Sequence, residues 1–463
     1  MDIGTISLIV LAGLFVLLAI GMPLGFASGF LAVVVMVLKF EPTLLTDPFV
    51  FGFYFDQWTV GDGTLTRRFG SGPLNILSQR IYGIMINYVL ISVPLFIFMA
   101  TLLERSGIAR DMYTSFAAWM NRLRGGIAVV TAFMGIIMAA MSGIIGGEIV
   151  LLGLIALPQM LRLGYDQKLA IGTICASGSL GTMIPPSIVL IFYGLITETS
   201  IHSMFQAAFV PGFMLAACYI IYILVRTRLQ PELAPLPEPG PDDMTQADKR
   251  KFGLTLLVQI LCGVSVVIAA RHIFVHTIGV IEEGTWFQGR PTFFVFSALA
   301  VASFCWLKFR VGSDVSREAW QKGKGLIQPL GIVFIVLGSI YGGITGITEA
   351  AALGAVSVMV LIFIRGEFTF ALLQEASMRT FKSTGTIIWV TFGATALAGA
   401  YTIAGGPSYV ANLIVGSDLP TMGVILVMML VFLILGAFMD WTGIVLLIMP
   451  VFMPIVLKLP IEE

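Results

Sequence analysis

The chain has 463 residues, of which 58% are hydrophobic and 11% charged, with Lys+Arg and Asp+Glu equal at 26 each. Soluble globular domains carry about 25% charged residues, so this composition excludes that class. The balanced charge leaves no net field to hold a nucleic acid.

Apolar runs long enough to cross a bilayer recur along the chain, at 6–20, 24–38, 254–270, 294–307, 344–364 and 422–439. In lipid only helices and closed barrels satisfy every backbone group, and continuous apolar runs lack the alternation of barrel strands. The expected class is an all-α polytopic membrane protein. The first run has neither a basic leader nor a small-residue cleavage site, so it reads as a retained span. Residues 40–73 form a Gly-, Thr- and aromatic-rich insertion between spans.

The stretch 138–158, MAAMSGIIGGEIVLLGLIALP, is too broken for a simple span. Ser142-Gly143 and Gly146-Gly147 interrupt it, and Glu148 is a lone acid. Glycine pairs let a chain reverse inside a membrane, which predicts a re-entrant hairpin with its tip at mid-depth. In 177–187, SGSLGTMIPPS, Pro185-Pro186 removes two backbone donors. Carbonyls freed there, with the hydroxyls of Ser179, Thr182 and Ser187, are hard oxygen donors suited to Na⁺.

Residues 229–251 are a proline-rich, charged linker flanked by Arg226, Arg228, Lys249, Arg250 and Lys251, which places them in the cytoplasm. The spans 254–270 and 294–307 then put Glu282, Glu283 and Trp286 outside. Counting back places the amino terminus outside and Arg105, Arg110, Arg122 and Arg124 inside. Arg67, Arg68 and Arg80 fall on the outer face, against the basic-inside tendency. Thr345 and Thr348-Glu349, in GITGITEAAALGAV, read as an N-cap with an acid in the first helical turn. Asp440, in MDWTG between two apolar runs, is costly inside a membrane, which argues for a functional role.

The chain also repeats itself: AVVVMVL at 32–38 resembles AVSVMVL at 355–361, Gly107 aligns with Gly405, and Ser142 aligns with Asp440. An odd number of crossings between the copies inverts the second, as in many secondary transporters. The first repeat is 1–228, with the insertion 40–73, a hairpin at 128–160 and a broken helix at 169–197. The linker 229–251 and a two-span hairpin at 252–325 lead to the second repeat, 326–463. The counterpart of the first broken helix falls past residue 463, so the second repeat is expected to be incomplete at its C-terminus.

Cys175, Cys218, Cys262 and Cys305 lack metal-ligand spacing and are expected to be buried small hydrophobes. His272 and His276 are expected at a solvated loop edge rather than in a metal site. There is no Walker A, GxSxG or HExxH pattern, so neither an enzyme nor an ATPase is expected.

Four segments resemble the large membrane subunit of tripartite ATP-independent periplasmic (TRAP) transporters: VPLFIFMATLLERSGIA at 93–109, LGTMIPPSIVLIFYGLITETSI at 180–201, GGITGITEAAALGA at 342–355 and GAFMDWTGIVLLIMPVFMP at 436–454. The resemblance implies inverted repeats with re-entrant hairpins, split between a scaffold and a moving transport domain in a bacterial inner membrane. It implies Na⁺-coupled, elevator-type uptake of a carboxylate-bearing solute, with Na⁺ as coupling ion and no cofactor. The implied partners are a periplasmic substrate-binding protein and a small four-helix membrane subunit; the outer-face arginines are open to acidic groups on that protein and equally to solvent or lipid headgroups. Carried over by motif, substrate ligands fall at Ser142, Gly143, Asp440 and Trp441. Sodium ligands fall at Ser142, Ser179, Gly181, Thr182, Pro185, Ser187, Asp440 and Thr442. The sequence departs from the pattern after Gly143, where Ile144, Ile145, Gly146, Gly147 and Glu148 stand in place of further small hydroxyl residues.

Overall fold

The computed structural model describes residues 2–40, 71–120, 123–143, 146–236, 246–277, 286–415, 420–437, 439–457 and 459. Among these residues the secondary structure is helical throughout. In chain order the helices are α1 (Ile3–Ala19), α2 (Leu24–Phe40), α3 (Ser71–Met85), α4 (Ser92–Arg105), α5 (Ile108–Met120), α6 (Gly126–Ser142), α7 (Gly147–Arg162), α8 (Gln167–Ser179), α9 (Ile188–Ile196) and α10 (Ile201–Leu229). The second half holds α11 (Gln246–Thr277), α12 (Trp286–Trp306), α13 (Ser313–Tyr341), α14 (Ile347–Ile364), α15 (Phe370–Ala404), α16 (Gly406–Val415), α17 (Thr421–Gly436) and α18 (Trp441–Val456), the last containing a π-helical turn. Seven of the described helices are long and apolar enough to cross a membrane, among them α10, α13, α14 and α15.

The basic residues gather at one end. There Arg105 pairs with Glu375 at 2.7 Å and Arg365 with Asp111 at 2.5 Å, joining the ends of α4 and α14 to α15 and α5. Thr227 Oγ1 donates to the Arg124 carbonyl at 3.4 Å, and the Asp166 amide donates to the Leu233 carbonyl at 2.9 Å, so the ends of α7 and α10 and the starts of α6 and α8 meet at the same place. Lys322, on α13, lies over the Phe252 ring of α11. The opposite end is marked by Ser7–Tyr401, by Tyr88–Glu349 and by Tyr341 donating to the Phe205 carbonyl.

These landmarks fix the direction of each element. Helices α6 and α7 leave the basic end and return to it, so they form a hairpin open only on that side. Their 17 and 16 residues give arms of about 25 Å, shorter than the roughly 30 Å hydrocarbon core of a bilayer. Helix α8 enters from the basic end, breaks at 180–187, and continues as α9 to the opposite end. The second hairpin, α17–α18, has the reverse sense. Its open end packs on α16 through Ala411, Val424, Phe452 and Ile455, beside the end of α15 that lies away from the basic residues. A third hairpin, α1–α2, also opens at that end. Its second arm runs along α15, where a methyl built on Gly393 would meet the Gly25 carbonyl oxygen at 2.1 Å. Small residues allow such close helix contact where lipid offers no hydrophobic drive to association.

Several expectations need correcting. Cys175, Cys218 and Cys305 are exposed and Cys262 partly so. Lipid is as apolar as a core, so an apolar setting in the sequence does not mean burial. The N-cap of α14 is Gly346 rather than Thr345, while Glu349 does occupy the first turn. Helix α11 runs to Thr277, so His272 and His276 belong to a helix rather than a loop edge. The linker is shorter than its composition suggests: Pro231–Leu233 forms a 3₁₀ turn bonded to Asp166, and α11 begins at Gln246. Most of the 40–73 insertion, Arg67, Arg68, Arg122, Glu282 and Glu283 lie outside the described residues.

Candidate functional site

The tip of the first hairpin is built around Gly143, which ends α6 with φ +62°, a left-handed conformation that glycine adopts without a Cβ penalty. Its carbonyl accepts from the Ile188 amide at 3.2 Å, which docks the tip on the first turn of α9. Ser142 and Glu148 face each other across the tip, and the Ser142 hydroxyl donates to the Glu148 carboxylate.

The broken helix contributes the other wall. After Ser179 the chain tightens into a 3₁₀ turn, Leu180–Thr182, passes a cis Pro185-Pro186 bond, and resumes at Ile188. The predicted hydroxyls all lie here but are engaged locally. Ser179 donates to the Ala176 carbonyl at 2.8 Å, Thr182 to the Ser179 carbonyl at 2.9 Å, and Ser187 to the Thr182 carbonyl at 2.8 Å. A hydroxyl that donates keeps its oxygen lone pairs, so each can still face a cation. The structure thus brings Ser142, Gly181, Thr182 and Ser187 into one neighbourhood through the Gly143–Ile188 bond and the approach of Glu148 to Gly181.

The second tip follows the same logic with other residues. Asp440 is the N-cap of α18: its Oδ1 accepts from the Gly443 amide at 3.2 Å and its Oδ2 from the Thr442 hydroxyl at 2.6 Å. Thr442 is buried and Asp440 exposed. Trp441 lies against Phe192 of α9, with ring centroids 6.1 Å apart, so both tips converge on this one short helix.

A cavity lies on either side of this convergence. One, of about 320 Å³ on the basic side, is lined by Thr101, Glu104, Ser142, Glu148, Arg379 and Lys382 among others. The other, of about 210 Å³, is lined by Arg80, Asn87, Phe192, Glu198, Thr391 and Thr402. Arg80, expected on the outer face, lines this cavity. In the sequence Glu148 stands out only as a lone carboxylate inside an otherwise apolar, glycine-broken run.

Opposed hairpins whose tips meet at a broken helix, among several apolar helices of membrane-crossing length, define an all-α polytopic membrane protein. The model for the family described as "Tripartite ATP-independent periplasmic transporter, DctM component" matches residues 11–283 and 291–463. The chain belongs to that family. It is similar to the C4-dicarboxylate TRAP transporter large permease protein DctM of Pseudomonas aeruginosa, 31% identical over 42% of this chain and 46% of the relative. The Vibrio cholerae protein of the same name is 34% identical over 38% and 39%. The ectoine TRAP transporter large permease protein TeaC of Halomonas elongata is 33% identical over 34% and 36%. The matched stretches thus span less than half the length of these relatives.

Proposed function

We propose that this chain is the large permease subunit of a sodium-coupled, elevator-type system that imports a carboxylate-bearing solute across a bacterial inner membrane. A periplasmic binding protein delivers the solute, and a small four-helix membrane subunit packs against the scaffold. The observation that carries this reading is the convergence of two hairpins of opposite entry on α9, with one cavity toward each end. A body built this way can present one site alternately to two sides by moving as a unit.

In this reading, sodium binds where hard oxygens and half-helix ends collect. The first site uses Ser142 and Ser179, Gly181, Thr182, Pro185 and Ser187, and the second uses Asp440 and Thr442. The solute contacts Ser142, Gly143, Asp440 and Trp441 between the tips. The relatives include C4-dicarboxylate and ectoine permeases, which supports small organic acids or zwitterions as solute class and leaves the choice among them to the binding protein.

The test is uptake into proteoliposomes holding this chain and its small subunit, with C4-dicarboxylates as probes. Accumulation should require an inward sodium gradient and added binding protein. Uptake with choline replacing sodium would refute the coupling, and sodium-driven uptake without binding protein would identify a stand-alone carrier instead.

A further inference from the structure

The first hairpin holds a buried acid that the proposed sodium ligands leave out. Glu148 is only 2% exposed, and its Oε2 has no hydrogen-bond partner. Its Oε1 accepts from Ser142. No cation of the described residues pairs with it: Arg379, which lines the same cavity, is held by Glu104 at 3.3 Å and Glu375 at 3.9 Å. A carboxylate this deep, with one bare oxygen, is expensive unless something compensates it.

The carboxylate lies beside the broken helix. A methyl built on Gly181 would lie 2.9 Å from Oε2 and 3.0 Å from Oε1, so both oxygens neighbour the 3₁₀ turn that opens the break. The Ser179 carbonyl, the Thr182 hydroxyl and the Thr182 carbonyl belong to this turn or to its bonds. Helix α8, arriving from the basic end, terminates there, and C-terminal carbonyls favour cations.

We infer that Glu148 is the charged ligand of a monovalent hard-cation site formed between the first hairpin tip and the 3₁₀ turn at 180–182. This rests on the sodium-coupled reading above and adds one thing to it: the cation's charge is cancelled within the hairpin itself. A neutral ion–carboxylate pair crosses a membrane interior at much lower cost than either charge alone. Glu148 thereby supplies what the missing hydroxyl residues at 144 and 145 do not.

The test is cation-dependent thermal stabilisation of the purified chain with its small subunit, titrating NaCl against choline chloride at constant ionic strength. Wild type should be stabilised saturably by Na⁺. Glu148→Gln keeps shape and hydrogen-bonding capacity and should raise the half-maximal Na⁺ concentration by about tenfold or more, the scale on which ligand charge tunes hard-cation affinity. Ser142→Ala, which leaves the carboxylate in place, should shift it less. Gly181→Ala forces the carboxylate away and should act like Glu148→Gln, giving a second reading if that variant fails to fold. Wild-type midpoints in both Glu148→Gln and Gly181→Ala overturn the assignment while leaving sodium coupling intact. Absence of any Na⁺ stabilisation in wild type overturns the sodium reading and this site with it.

Discussion

The carbonyl of Gly143 and the amide of Ile188, 45 residues apart in sequence, are hydrogen-bonded at 3.2 Å, so the hairpin tip and the resumed helix share one backbone unit. Ile188 opens α9 with an amide that lacks a helical partner, and the glycine carbonyl satisfies it where water is scarce. The glycine is required twice over. Its φ is +62°, and a Cβ there would stand 2.5 Å from the Pro186 carbonyl oxygen. Gly143→Ala should therefore destabilise the protein by roughly 2–4 kcal/mol, from left-handed strain plus overpacking. The expected result is a lower melting temperature with loss of uptake; wild-type melting and uptake would show that the tip does not depend on this contact.

The clustering of basic residues at one end predicts which way the chain lies in the membrane. With the four native cysteines replaced by serine, Asp2→Cys should react with an impermeant maleimide added from outside the cell. Lys324→Cys should react only after the cytoplasmic side is opened. Both positions are exposed. Reversed labelling would invert the whole topology, including the side on which each cavity opens.

Much of this arrangement was readable from residues that break rules. Gly143, the Gly146-Gly147 pair and the Pro-Pro step at 185–186 interrupt apolar runs, and the structure reverses or breaks around them. Asp440 announced the second tip because a charge between two apolar runs needs a reason. What was not readable depends on contacts distant in sequence. Nothing local in Glu148 shows that it turns toward Gly181. Thr345 looked like the better cap, yet Gly346 takes the position and leaves the Thr345 hydroxyl buried without a partner. Arg365 and Asp111 belong to different halves of the chain, and no pattern within either half connects them.

That pair anchors a cluster at the basic end. The Arg365 guanidinium, 14% exposed, donates to Gln328 at 2.8 Å, Asp111 at 2.5 Å and Glu367 at 2.7 Å. It ties α5 and α13 to the turn between α14 and α15. Arg365→Ala should cost about 1.5–3 kcal/mol, the range for hydrogen bonds to charged groups, toward the lower end because Asp111 is half exposed. Arg365→Lys should fall between, since an ammonium cannot reproduce the planar fork. Melting temperatures of the two variants check this; equal values for wild type and Arg365→Ala would reduce the cluster to a solvated ion pair.

Asp440 presents the sharpest choice between a structural and a functional acid. Both of its oxygens are in use, one on the Gly443 amide and one on the Thr442 hydroxyl, which is what an N-cap does. Loss of the cap in Asp440→Ala should cost about 1 kcal/mol. Asparagine retains a carbonyl oxygen for the Gly443 amide, so Asp440→Asn should melt close to wild type while losing the negative charge. If the acid serves only as a cap, its sodium activation of uptake will match that of wild type. If the carboxylate belongs to a second cation site, as we propose, the half-maximal sodium concentration rises in Asp440→Asn although the fold is intact. Trp441, adjacent in sequence and in contact with Phe192 on α9, separates tip geometry from charge: Trp441→Phe keeps the ring contact, so the half-maximal sodium concentration should stay at the wild-type value even where loss of the indole lowers solute uptake. A sodium response altered by Trp441→Phe as much as by Asp440→Asn would point to the geometry of the tip rather than its charge.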